Sequence, residues 1–148
     1  MAPVDTEVTV GNLLVGVGCA LLVAGGVMPW AVARGFSTAG IEHVDGTITF
    51  AWGLLLAVVV VVRPWSPLTV AVSTFVGFVL SGILVVDVFT PEKFFPTLVL
   101  ANQSGYGVGV GLLVSLAGAL FVLGGGVLGA VGSYYPDVGR RLVLRRGG

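Results

Sequence analysis

Apolar residues occur along this chain in four long runs that are separated by polar segments. The runs extend over residues 11–33, 47–65, 68–88 and 106–131. Each is close to the roughly 20 apolar residues that a helix needs to cross the hydrocarbon core of a bilayer. The apolar residues do not alternate with polar ones, as they do in the strands of a membrane barrel. The pattern therefore predicts an all-α protein, a four-helix transmembrane bundle that is antiparallel in the order up, down, up, down.

Composition supports a membrane protein. The chain of 148 residues is 56% hydrophobic and only 9% charged, whereas a soluble domain carries about 25% charged residues. We expect a single integral membrane domain, residues 1–148, with a basic tail at 132–148. The net charge of +0 gives no reason to expect a nucleic-acid partner. The only cysteine, Cys19, excludes a disulfide within the chain.

The basic residues predict the orientation. With four spans, both termini lie on the same side as the turn between spans two and three. That side has five arginines, Arg63, Arg140, Arg141, Arg145 and Arg146, and the other side has only Arg34 and Lys93. The excess of positive charge predicts a cell-membrane protein with both termini in the cytoplasm. Two interpretations of the four tail arginines stay open: a topology signal alone, or binding of anionic lipid headgroups.

Small residues form stripes on two of the predicted helices. Small residues let helices approach closely in a membrane, where no hydrophobic effect operates between them. The stripes therefore predict helix packing inside the bundle, or alternatively a self-association face on span four. The predicted packing residues are Gly16, Ala20 and Ala24 in span one, and Gly107, Gly111, Gly118, Gly125 and Gly129 in span four.

The segment before span two carries Glu42, His43 and Asp45, in a chain with little other polar chemistry. These are metal-ligand types, but a stable site needs three or four converging ligands, and one short loop provides poor convergence. Asp45 is also suited to capping the helix that follows. We expect capping or solvation, and no cofactor or catalytic residue; a weak metal site at Glu42, His43 and Asp45 is the alternative. No zinc-protease, P-loop or dinucleotide-binding motif occurs in the sequence.

The predicted outer segment between spans three and four has two further features. Phe94 and Phe95 begin an apolar piece that is suited to lie on the membrane surface or to pack over the mouth of the bundle. Asn102 begins the sequon "NQS" on the predicted outer face, which makes it a possible glycosylation site.

Several local sequences resemble those of small four-span membrane proteins of haloarchaea and actinobacteria. They are "MPW" at the end of span one, "DG" at the start of span two and "GVGVGLLVSLAGAL" in span four. The resemblance covers most of the chain. It implies a tetraspan bundle and provides no active site.

The sequence favours a non-enzymatic membrane protein that acts as a structural, scaffolding or accessory subunit through lateral helix packing and self-association. Its expected partners are membrane lipid, further copies of the chain and other membrane proteins. A small-solute channel or transporter subunit is the alternative. A membrane enzyme that uses residues 42–45 is the third hypothesis, ranked lowest.

The sequon makes a prediction that one mass measurement checks. If Asn102 is glycosylated, the intact protein from native membranes is heavier than its sequence mass, and Asn102→Gln removes that difference. An intact mass equal to the sequence mass would exclude the modification.

Overall fold

A computed structural model describes residues 6–33, 36–62, 66–95 and 105–134. It contains four long helices: α1 (Thr6–Val27), α2 (Val44–Val62), α3 (Pro67–Phe89) and α4 (Val110–Tyr134). All four are long and apolar enough to cross a membrane. The prediction of an all-α bundle of four apolar helices is confirmed, and the protein is a multi-pass membrane protein.

A small antiparallel sheet, which the sequence analysis did not predict, covers one end of the bundle. Its strands are β1 (Pro29–Ala33), β2 (Phe36–Ala39) and β3 (Tyr106–Val108), with β1 in the centre. A 3₁₀ turn at Gly40–Glu42 leads from β2 toward α2, and another at Pro91–Phe94 follows α3. We refer to the sheet and these two turns together as the cap.

The cap changes the boundaries of three predicted spans. The first was expected to continue to residue 33, but α1 ends at Val27 and β1 begins at Pro29. Proline has no N–H to donate and disfavours helical geometry in the residue before it. The fourth span was expected to begin at residue 106, but residues 106–108 form β3. Gly109 follows and donates its N–H to the Trp30 carbonyl at 2.7 Å, and α4 begins after it. The second helix begins at Val44, three residues before the predicted start.

Glycines bring α1 and α4 into close contact. A Cβ added to Gly118 would lie 2.8 Å from the Gly18 carbonyl oxygen, and one added to Gly18 would lie 2.7 Å from that of Gly118. Equally close approaches occur between Gly125 and Gly11, and between Gly111 and Gly25. The three positions on each helix are seven residues apart, which keeps them on nearly the same face. From one contact to the next, the residue numbers rise along α1 and fall along α4, so the two helices are antiparallel where they are in contact.

The glycines of this contact are not the α1 stripe that the sequence suggested. Gly16 has no atom within 4 Å of the place a Cβ would take, and Ala20 and Ala24 are exposed. Gly16 lies two residues from Gly18, which is roughly 200° around the helix. The structure therefore places the predicted stripe on the outer surface of α1. In α4, Gly111, Gly118 and Gly125 face α1 and Gly129 is buried, whereas Gly107 lies in β3 and not in a helix.

The other two helices pack on either side of this central pair. Gly53 of α2 lies against Leu22 and Val23 of α1, and Gly77 of α3 lies against Leu123 of α4. By contrast, α2 and α3 make few direct contacts. An apolar gap of about 60 Å³ separates them, with Ile48 and Trp52 on one side and Val79 and Ile83 on the other. The interior of the bundle is filled by side chains that include Leu22, Leu56, Leu80, Leu84 and Leu112.

The glycine contact predicts a difference between two positions in α4. Gly118→Ala places a methyl group against the α1 backbone, and overpacking of this kind costs about 1–3 kcal/mol. We expect a lower midpoint of thermal unfolding in mild detergent, followed by tryptophan fluorescence. Gly124→Ala in the same helix meets no atom within 4 Å and is the control; we expect it to be neutral or slightly stabilising, because glycine is a poor helix former. Equal effects of the two substitutions would contradict the packing argument.

Candidate functional site

Three charged side chains from three different elements meet at the capped end of the bundle. Asp45 lies in the first turn of α2, Asp87 in the last turn of α3, and Lys93 in the 3₁₀ turn after α3. Lys93 Nζ donates to Asp45 Oδ2 at 2.8 Å and also to Asp87 Oδ1. We call this group the Asp45–Lys93–Asp87 clamp. It joins α2 to α3 where the two helices have few other contacts.

The helix dipole favours the positions of Asp45 and Lys93, whereas it opposes an acid at Asp87 in the last turn of α3. The start of a helix carries a partial positive charge and favours an acid such as Asp45, whereas the end of a helix favours a cation such as Lys93. Thr90 ends α3 by donating its N–H to the Asp87 carbonyl and its hydroxyl to the Val86 carbonyl. The chain then turns through Pro91–Phe94 and returns Lys93 to the end of the helix it has just left.

The two carboxylates differ in their access to water. The side chain of Asp87 is 1% exposed, whereas those of Asp45 and Lys93 are 34% and 37% exposed. A carboxylate that is buried without a paired cation lowers the stability of the fold. The burial of Asp87 therefore depends on its pairing with Lys93, whereas the more exposed Asp45 depends on Lys93 less. The second oxygen of Asp87, Oδ2, is also buried, and no residue that the structure describes donates a hydrogen bond to it.

The surroundings keep Lys93 charged. Burial alone lowers the pKa of Lys93, but the hydrogen bonds and negative charges of Asp45 and Asp87 outweigh burial and leave the pKa above its ordinary value. This contribution to stability is fully present below the ordinary lysine pKa of about 10.4 and is lost as pH rises through the raised value. The raised pKa favours the charged form of Lys93.

Aromatic rings lie beside the clamp. Lys93 Nζ lies 5.1 Å from the centroid of the Phe94 ring, within the range of a cation–π contact. The Phe94 ring meets Trp30 edge-on at 5.8 Å and His43 at 4.9 Å. Trp30 is fully buried and donates its indole N–H to the Gly25 carbonyl at 3.0 Å. Phe94 and Phe95 are buried at this end of the bundle, and the rest of the apolar piece that they begin lies outside the described residues.

The structure assigns separate contacts to Glu42, His43 and Asp45. A Glu42 carboxylate oxygen accepts from the Ala39 N–H at 3.2 Å across the 3₁₀ turn. His43 packs on Phe94, and its Nε2 is buried without a partner among the described residues. Asp45 pairs with Lys93. Across the described part of the chain, no group of three or more His, Cys, Asp or Glu residues is placed to hold a metal ion.

Sequence reasoning missed the partners of Asp45. The sequence pattern uses Lys93 only in the count of basic residues, and it does not single out Asp87. Their opposite charges, six residues apart across the end of a helix, are a local signal for pairing. Their convergence with Asp45, 48 positions from Lys93, has no sequence signal.

Several predicted residues lie outside the part of the chain that the structure describes. They are the sequon residue Asn102 and the arginines Arg63, Arg140, Arg141, Arg145 and Arg146. Comparisons of the chain with protein-family models, curated proteins and solved structures gave no match.

The clamp predicts unequal costs for its three members. Lys93→Met leaves the buried Asp87 without its cation, which we expect to cost about 3 kcal/mol in the free energy of unfolding, the lower end of the range for broken buried pairs. Asp45→Asn removes a half-exposed pair and should cost about 1 kcal/mol or less. Thermal unfolding in mild detergent measures both.

A double variant separates the clamp from general packing. Adding Asp87→Asn to Lys93→Met removes the unpaired charge, so we expect it to recover part of the stability lost in the single variant. Additive losses would show that Lys93 and Asp87 do not depend on each other.

Proposed function

We propose that this protein is a non-enzymatic structural or accessory subunit of the membrane that associates laterally with copies of itself or with other membrane proteins. The observation that carries the proposal is the outer surface of α1. Among the described residues, no atom lies within 4 Å of the Cβ position of Gly16, and Ala20 and Ala24 are exposed, whereas the glycines of α4 that face α1 are used inside the bundle. Small residues four apart provide the surface on which a second helix packs closely in lipid.

The chemistry of the cap supports a structural role over catalysis. Its ammonium group is held by two carboxylates, and the Glu42 carboxylate closes a turn. A catalytic lysine or carboxylate acts through a protonation state that changes near the working pH. Lys93, by contrast, is held in its charged form. These contacts hold the ends of the helices together, which supports a structural role.

A channel or transporter subunit is the second candidate, and the filled interior of the bundle constrains it. The described interior contains fully buried leucines from all four helices: Leu22, Leu56, Leu80, Leu84 and Leu112. A solute path would therefore have to run between copies of the chain. Both functions thus depend on lateral association, and flux into liposomes distinguishes them.

The proposal includes an orientation and a membrane. The five arginines predicted on the side of the termini favour cytoplasmic termini in the cell membrane. In that orientation the cap and its clamp face outward, and partners outside the cell would meet the exposed Phe36 and Ile41 of the cap.

The α1 stripe makes the proposal testable. Gly16→Leu places a large side chain on the surface that a second helix would approach. We expect it to weaken self-association about tenfold, equivalent to about 1.4 kcal/mol. Energy transfer between labelled copies in liposomes, at increasing dilution in lipid, measures the equilibrium.

Gly124→Leu is the matched control, because Gly124 also has no atom within 4 Å but belongs to α4. Its association should equal that of the wild type. A wild-type protein that is monomeric at all dilutions and copurifies with no membrane protein would contradict the proposed function.

A further inference from the structure

Two polar atoms beside the clamp are buried without a hydrogen-bond partner among the described residues. One is Asp87 Oδ2, the carboxylate oxygen that does not bond Lys93, and the other is His43 Nε2. The side chain of Asp87 is 1% exposed, so bulk water has almost no access to this oxygen. Buried polar atoms in folded proteins are nearly always hydrogen-bonded. Each of these two atoms therefore indicates an interaction that the clamp alone does not provide.

The two atoms belong to groups that surround the same aromatic ring and the same cation. The His43 ring lies 4.9 Å from the Phe94 ring, and Lys93 Nζ lies 5.1 Å from the centroid of that ring. Lys93 Nζ also donates to Asp87 Oδ1. A charge on His43 interacts electrostatically with the Asp87 carboxylate. His43 and Asp87 are therefore neighbours, although one precedes α2 and the other lies in the last turn of α3.

The charges around His43 do not balance. Asp45 and Asp87 carry two negative charges, whereas Lys93 carries one positive charge and is the only lysine or arginine in the described part of the chain. A surplus negative charge in a poorly solvated place favours the uptake of a proton. The other charged side chains on the described elements around His43 are acidic as well, namely Glu42 and Glu92.

We propose that His43 and Asp87 form one proton-binding site, in which a hydrogen between His43 Nε2 and Asp87 Oδ2 is shared directly or through one water molecule. Uptake of a proton by this pair balances the charge of the clamp and gives both buried atoms a hydrogen bond. Histidine is the side chain that commonly changes its charge between about pH 5 and pH 8. Because interacting groups titrate as a unit, the proton belongs to the pair and not to one residue. The joint between α2 and α3 is therefore tighter in acid than at neutral pH.

The proposed site gives the dependence of stability on pH a definite sign. The folded chain holds the proton in a buried place of surplus negative charge, whereas His43 and Asp87 are separate and solvated in the unfolded chain. The folded chain then binds more protons than the unfolded chain, and stability rises as pH falls wherever this holds. The rise ends at about pH 4, where ordinary carboxylates become protonated.

Thermal unfolding of the full chain at pH 8 and pH 5.5 tests the site. Nanodiscs of phosphatidylcholine provide a bilayer without net charge. We expect the wild-type midpoint to be higher at pH 5.5 by about 3 °C, for a roughly tenfold stronger binding of the proton by the folded state. His43→Gln and Asp87→Asn should each abolish this difference. Glu42→Gln is the matched control, because it neutralises a neighbouring carboxylate that bonds the Ala39 N–H instead, and it should keep the difference.

Nuclear magnetic resonance tests the shared hydrogen without unfolding the protein. His43 is the only histidine of the chain, so ¹⁵N-labelled histidine reports its two ring nitrogens alone. At pH 5.5 we expect a slowly exchanging hydrogen on Nε2 in the wild type, and its loss to rapid exchange in Asp87→Asn. Glu42→Gln should keep the slowly exchanging hydrogen.

Four results would overturn the proposal. The first is a wild-type midpoint that is equal or lower at pH 5.5. The second is a rise in acid that persists in both His43→Gln and Asp87→Asn. The third is an Nε2 hydrogen whose exchange is the same in Asp87→Asn as in the wild type. The fourth is loss of the rise in Glu42→Gln, which would assign the proton to a different carboxylate. None of these results concerns self-association through α1, so the proposed function stands or falls separately.

Discussion

The backbones of α1 and α4 approach each other through glycines that are spaced seven residues apart, and the rest of the bundle is arranged around that contact. Helices in lipid gain no hydrophobic free energy by meeting, so close backbone approach and dispersion contacts hold them together. A single Cβ at Gly18 or Gly118 would press on the backbone of the opposite helix. The central pair then offers its flanks to α2 and α3, which attach through Gly53 and Gly77.

The cap completes the bundle where glycine packing is weakest. α2 and α3 make few contacts along their lengths, and Asp45, Lys93 and Asp87 join their ends instead. The ion pairs link α2 and α3 because the two carboxylates belong to different helices and share the ammonium group of Lys93. The aromatic rings of Phe94 and Trp30 shield the buried side of this group. The same residues thus close the bundle and anchor the sheet that covers it.

The outer surface of the protein offers different features on different helices. Small residues line the exposed side of α1, whereas large aromatic side chains and a recess mark the α3–α4 side. The small residues leave room for close approach to α1, whereas the exposed rings of Phe75 and Phe78 are bulky on the α3–α4 side.

The four apolar helices follow from the amino-acid pattern alone, because the length and composition of each run satisfy the requirement for crossing lipid with all backbone groups bonded internally. The pattern also predicted that Asp45 lies at a helix start, and Asp45 is in the first turn of α2, but its side chain pairs with Lys93. Phe94 and Phe95 are buried, as one of the two options for them expects. The pattern did not predict the sheet, because β1 and β3 lie within stretches as apolar as the helices beside them.

The arrangement of the helices in space determines which small residues are in contact and which charges pair. Gly16 and Gly18 are the same residue type two positions apart, but they lie on nearly opposite sides of α1. The position of α4 determines which of them is buried. Asp45 and Lys93 are far apart in sequence, and the return of the chain after α3 brings them together. Local patterns specify an element, whereas the contacts between elements depend on how all four helices are placed around one another.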